Sequence, residues 1–104
     1  MNKNIQHLIR EITDRFQPER IILFGSFAYG RPDQDSDIDL LVIMDFKGSA
    51  REQAVKVVQT IDYHFPLDLM VRSREQISKR IDQGDFFLRE VLEKGEVLYD
   101  RDLS

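Results

Sequence analysis

Residues 20–44 read RIILFGSFAYGRPDQDSDIDLLVIM, and the fold turns on how this stretch divides. Arg20 opens the run Ile21-Ile22-Leu23-Phe24, continuous and apolar, as expected of a buried strand. Gly25-Ser26 breaks it. Phe27 to Gly30 is long enough for one short helix, and Arg31 to Ser36 is a polar loop. Asp37-Ile38-Asp39-Leu40-Leu41-Val42-Ile43-Met44 then reads as a second, largely buried strand. The connection is short, so the two strands pair antiparallel, and Gly25-Ser26 lies beside the head of Asp37-x-Asp39.

Upstream, Ile5, Leu8, Ile9, Ile12 and Phe16 follow the spacing of one helical stripe, which predicts a helix over residues 3–16, ended by Pro18. Downstream, Ser49 with Glu52 forms a capping box for a helix over 49–63, with Ala54, Val57, Val58 and Ile61 on one face. Leu67-Asp68-Leu69-Met70-Val71 is a third strand. A full helix between the second and third strands is the crossover of parallel neighbours. Ser73 and Gln76 make a second capping box, for a helix with Ile77 and Ile81 inward that stops at Gly84. Asp85 caps a last helix with Phe87, Val91 and Leu92 inward and Gly95 at C′. Glu96 to Asp100 makes a short fourth strand, and the last residues fray. The order αβαβαβααβ predicts an α+β (α/β) fold, one small mixed sheet flanked by helices, in a single domain over residues 1–104.

The chain has 104 residues with 41% apolar and 33% charged side chains, which is globular usage and one domain's worth of chain. Fifteen Lys and Arg against 19 Asp and Glu give a net charge of −4, against the basic face of a nucleic-acid binder. With no cysteine, a disulfide framework and a thiolate zinc site are excluded. No signal-peptide core opens the chain, and no apolar run approaches the roughly 20 residues of a membrane span. The expectation is a cytoplasmic protein with no membrane and no direct nucleic-acid partner.

Side chains two apart on a strand share a face, so Asp37 and Asp39 project together, with Leu41 and Ile43 continuing inward. At a separation of about 6 Å and an effective dielectric of about 20, two carboxylates repel by about 3 kcal/mol. A bound divalent cation reverses that sign. Asp68, near the start of the parallel third strand, falls at the same end, so three carboxylates and a Gly-Ser turn share one rim. All-oxygen ligation suits magnesium or manganese. Gly25 lets the backbone approach a phosphate closely, the short helix after it offers its first amides, and the Ser26 hydroxyl adds a donor. A Walker A loop is excluded, because Arg31-Pro32 follows Gly30 where Lys-Ser/Thr is required.

Gly25-Ser26, ten residues, Asp37-x-Asp39 and a later strand bearing Asp68 closely resemble the signature of the DNA-polymerase-β-like nucleotidyltransferase superfamily. The surrounding Ile22 to Gly30 and Ser36 to Val42 resemble its minimal (MNT) branch, whose members act as antitoxins beside HEPN-domain toxins. The resemblance implies the nucleotidyltransferase fold and a transferase that moves AMP from ATP, its substrate, onto a tyrosine of a HEPN toxin. It implies that Asp37, Asp39 and Asp68 are catalytic and hold two Mg2+ ions (Mn2+ serving also), with Asp68 orienting or deprotonating the attacking hydroxyl. Gly25 and Ser26 would hold the triphosphate, and the chain would assemble with its toxin as a hetero-oligomer. Two other classes compete: a non-catalytic antitoxin that occludes its HEPN partner, and a small-molecule adenylyltransferase.

Blander readings cover the remaining residues. Ser26 also fits a plain helix N-cap. Asp33, Asp35, Asp45 and Asp62 read as solvated charges, His64 as structural, and His7 as lying on the polar side of the first helix. Phe86 and Phe87 read as core rather than as platforms for a base, with Phe86 an exposed contact at most. Arg31, Arg72 and Arg74 have no spacing that separates a site from ordinary surface charge.

Overall fold

The apolar stripe near the N-terminus does form a helix, α1 (Lys3–Phe16), burying Ile5, Leu8, Ile9 and Ile12. The computed structural model describes residues 3–30 and 37–103. At the end of α1, Gln17 takes the left-handed conformation (φ 51°) while its N–H still donates to Thr13 O at 3.1 Å. The chain then enters β1 (Arg20–Phe24), followed by β2 (Ile38–Ile43). Then come α2 (Ala50–Thr60), β3 (Leu67–Arg72), α3 (Arg74–Asp82), α4 (Phe86–Lys94), β4 (Glu96–Asp100) and a 3-10 turn (Arg101–Leu103).

The four strands form one mixed sheet in the order β3-β2-β1-β4. β1 pairs antiparallel with both β2 and β4, and β2 pairs parallel with β3. The expected hairpin and crossover are both present. Each sheet face carries its own core. On one side Ile21, Leu23, Leu40, Val42, Leu69 and Val71 pack with α1 and with Val57 of α2. On the other, Ile22, Phe24, Leu41 and Ile43 meet Ile77 of α3 and Leu88 and Val91 of α4. Each such Leu, Ile or Val removed from water contributes about 1.5–3 kcal/mol. β1 and β2 are therefore apolar at almost every position because both their faces are covered.

Four expectations need correction. Phe27 to Gly30 is a hydrogen-bonded turn and not a helix, since Ala28 N–H and Tyr29 N–H both donate to Gly25 O at 3.1 Å and the pattern goes no further. α2 stops at Thr60, three residues short, because Ile61 turns extended (ψ 155°) and carries its side chain into the core with Tyr63 and Phe65. Gly95 caps α4 in an extended conformation (φ −68°), so no left-handed C′ glycine is needed. Its glycine is steric: a Cβ there would run into Val91 O and come within 2.5 Å of Ile22 Cγ2. The end of the chain does not fray at β4, since Arg101 N–H donates to Glu19 O at 2.9 Å and the 3-10 turn follows. The expected polar loop, with Arg31, Asp33 and Asp35, lies outside the described residues.

Candidate active site at the carboxylate rim

The register of the sheet decides where the acids meet. Asp39 of β2 is the parallel partner of Asp68 of β3 and the antiparallel partner of Phe24 of β1. Asp37 immediately precedes β2 and shares Asp39's face by strand alternation. Phe24 and Leu41 on this face belong to the core beneath α3 and α4, which puts the three carboxylates at the rim of that layer. Asp37 and Asp68 are exposed and Asp39 is half-buried.

The three charges act on one another. Burial first, then the negative charges of Asp68 and Asp37, hold the Asp39 carboxyl above its ordinary pKa. Among the described residues none of the three is ion-paired to a Lys, Arg or His, whereas Glu11, Glu19, Asp85 and Asp100 all are. Among the described residues no three acidic or imidazole side chains close into a ready-made cage, so the carboxylates face one another across an open rim.

Gly25 follows β1 directly and backs onto Asp39. A Cβ at position 25 would overlap the Asp39 carboxylate, and the residue's φ of +75° is one that side chains other than glycine's rarely adopt. Glycine is thus doubly required, by backbone conformation and by the approach of the turn to the acid. Ser26 is half-buried beside it. With no helix beginning there, Ser26 has none to cap. The amides of Ala28 and Tyr29 are taken by Gly25 O, so only the tip of the turn remains for an anion. All five sequence candidates, Gly25, Ser26, Asp37, Asp39 and Asp68, lie at the same ends of neighbouring strands.

The expectation that Phe86 and Phe87 are core, with Phe87 inward, needs correction. Phe87 is 48% exposed, and its ring stands edge-on to Phe24 at 5.6 Å, while Phe86 is 78% exposed. Neither is core. The inward residue of that turn is Leu88, which the reading passed over, and the helix stripe runs Leu88, Val91, Leu92. A Phe-Phe-Leu sequence fits two helical phases, and only the tertiary packing chooses between them.

Among the described residues, cavities also lie away from the rim. One, about 340 Å³, sits at the far end of the sheet under Glu19, Arg20, Arg74 and Asp100. Those residues pair among themselves, Arg74 with Glu19 at 3.0 Å and Arg20 with Asp100 at 3.2 Å, so Arg74 belongs to a structural cluster.

A four-stranded mixed sheet with helices on both faces, and paired acids opposite a Gly-Ser turn, has the architecture of a nucleotidyltransferase. The polymerase β nucleotidyltransferase family model matches residues 6–104, and the chain belongs to that family. A relative from Methanocaldococcus jannaschii, named as a protein adenylyltransferase, is 32% identical over 100 residues, 93% of this chain and 96% of that one. In three dimensions the chain resembles a Sulfolobus solfataricus protein described as a nucleotidyltransferase (TM-score 0.66, 19% identity, 96% of this chain and 80% of that one). It also resembles a toxin–antitoxin crystallised with AMP-PNP (TM-score 0.60, 22% identity, 99% and 77%) and the MntA–HpeT toxin–antitoxin (TM-score 0.58, 20% identity, 99% and 77%). These likenesses establish the fold and a nucleotidyltransferase.

Proposed function

We propose that this chain, as one minimal catalytic unit in the cytoplasm, transfers AMP from ATP to a hydroxyl of a partner protein. The observation that carries the reading is the in-register meeting of Asp39 with Asp68 beside Gly25, with no cation paired to either among the described residues. The donor set is all carboxylate oxygen, and its mutual repulsion is of the sign that a hard divalent ion relieves. Asp37, Asp39 and Asp68 would hold Mg2+, which supplies charge neutralisation at the α-phosphate and at the departing pyrophosphate. The tip of the Gly25-Ser26 turn orients the triphosphate. Asp68, exposed at the head of β3, accepts the proton of the acceptor hydroxyl as its oxygen attacks the α-phosphorus. An O–P bond forms, the α–β P–O bond breaks, and pyrophosphate leaves. The protein relative named as a protein adenylyltransferase, together with the toxin–antitoxin neighbours, supports a toxin as acceptor. The family resemblance points to a HEPN-domain toxin modified on tyrosine and held in a hetero-oligomer.

The test is co-incubation with the partner, ATP and Mg2+, read by mass spectrometry. Wild type is expected to add one or more AMP units to the partner, and Asp37→Ala/Asp39→Ala none, with a loss of transfer on the order of a thousandfold. A second reading, a non-catalytic antitoxin that works by occlusion, draws on the open spacing of the carboxylates. It is the better one if wild type and the double variant neutralise the partner equally with no added mass.

A further inference from the structure

β3 is an edge strand, and the groove along its open side has its own charge character. The cavity there, about 600 Å³, runs from the start of α2 across β3 to the second half of α3. Among the described residues, Arg51, Arg72, Lys79 and Arg80 line it and no acid does, in a chain whose net charge is −4. Arg72 is squeezed hard enough by burial and by Arg80 that its guanidinium holds its proton less tightly than usual, although Asp85 opposes this. Arg80 reaches Asp85 at 3.7 Å.

Backbone bonding shows which groups the edge presents. Ile38 N–H donates to Pro66 O at 2.9 Å and Met44 N–H to Arg72 O at 3.1 Å, so the even-numbered residues of this stretch turn their peptide groups toward β2. By alternation, Leu69 and Val71 turn theirs outward, into the groove. Val71 O is met there by the Arg72 guanidinium, whose Nη1 donates to it at 2.7 Å. Val71 is fully buried and Leu69 nearly so, so the chain's own Arg72 closes this edge, and another strand is received only where that side chain swings away.

We propose that the β3 edge is the docking groove for an extended acidic segment of the partner protein, which adds to the sheet as a fifth strand. A backbone N–H of the incoming strand takes over Val71 O, and the released Arg72 guanidinium turns to a carboxylate of the segment, as do Arg51 and Lys79. Among the described residues no aromatic side chain lines the groove, so they offer none of the stacking platforms that a single-stranded nucleic acid needs. Asp68 lies at one end of the same edge strand, about 13 Å along from Arg72. A bound segment would therefore run past the group that receives the acceptor's proton. The delivery, though not the binding, rests on the transferase reading above.

The probe is a fluorescein-labelled synthetic peptide of alternating glutamate and valine with one tyrosine, titrated against the full chain without ATP. A lysine-for-glutamate analogue and a short oligouridylate serve as comparisons. The acidic peptide is expected to bind best and to slow hydrogen exchange at the Leu69 and Val71 amides below its rate in the free chain. Arg51→Glu/Lys79→Glu is expected to weaken it by about tenfold or more, with the neutral pair Arg51→Gln/Lys79→Gln in between. The groove assignment fails if the wild-type chain ignores the peptide, if both double variants bind it as well as wild type, if the RNA binds more tightly, or if exchange at those two amides does not slow. If the chain binds the peptide in this manner and, once ATP and Mg2+ are added, transfers AMP neither to it nor to the partner protein, the transferase reading alone is refuted and the groove stands.

Discussion

At the scale of single residues, Asp39 does work against the fold. Its carboxyl is held above the ordinary range, by burial first and then by Asp68 and Asp37, so its ionised form is disfavoured in the native chain. Between the unfolded and the raised native pKa, the folded state binds more protons than the unfolded one, and stability falls as pH rises through that window. At pH 7 without divalent ions, Asp39→Asn is therefore expected to unfold at a higher temperature than wild type. The gap should close as the pH is lowered past about 3.9, the ordinary aspartate value. Thermal denaturation in EDTA across that range checks it, and a lower melting temperature for the variant at pH 7 would mean that the rim does not repel. The same substitution should abolish AMP transfer.

Among the elements, caps and pairings were more legible than side-chain phase. Ser73 and Gln76 announce the start of α3 in the sequence, and both halves of the box form: Gln76 N–H donates to Ser73 Oγ, and Ser73 N–H to Gln76 Oε1, each at 3.1 Å. Ser73→Ala should cost about 1 kcal/mol, a fall of about 4–8 °C in melting temperature, without altering nucleotide transfer at the opposite end of β3. Calorimetry beside a transfer assay measures both. The Ser49 box forms only in part, because Glu52 Oε1 accepts from the Ser49 hydroxyl at 3.1 Å where the motif calls for the backbone N–H. The hairpin of β1 and β2 and the parallel placement of β3 could be read from loop lengths, since a short link and a helical crossover each permit one pairing. That logic alone places Asp68 beside Asp39, as the register does. Phe87 could not be read this way, because a run of three apolar residues leaves a helix free to rotate by one position. The basic groove was equally invisible. Arg51, Arg72 and Lys79 come from three separate elements, and no linear spacing links them.

For the molecule as a whole, charge is sorted. Acids gather at the rim where β1 ends and β2 and β3 begin, and cations gather along the open flank of β3. Among the described residues no helix is long and apolar enough to cross a membrane. Magnesium should raise the melting temperature by mass action, by about 2.7 kcal/mol of added stability at a hundredfold excess over its Kd. Asp37→Ala/Asp39→Ala should lose that response, which differential scanning fluorimetry detects. An equal Mg2+ response in both proteins would place the ion elsewhere. The parallel pairing of β2 with β3 has one more effect, on timing. Asp39 sits on a strand made early in a local hairpin, while Asp68 waits until α2 has been synthesised and folded back across the sheet. A half-made chain emerging from the ribosome therefore has an incomplete rim, and the two acids come together only once the edge strand β3 is also in place.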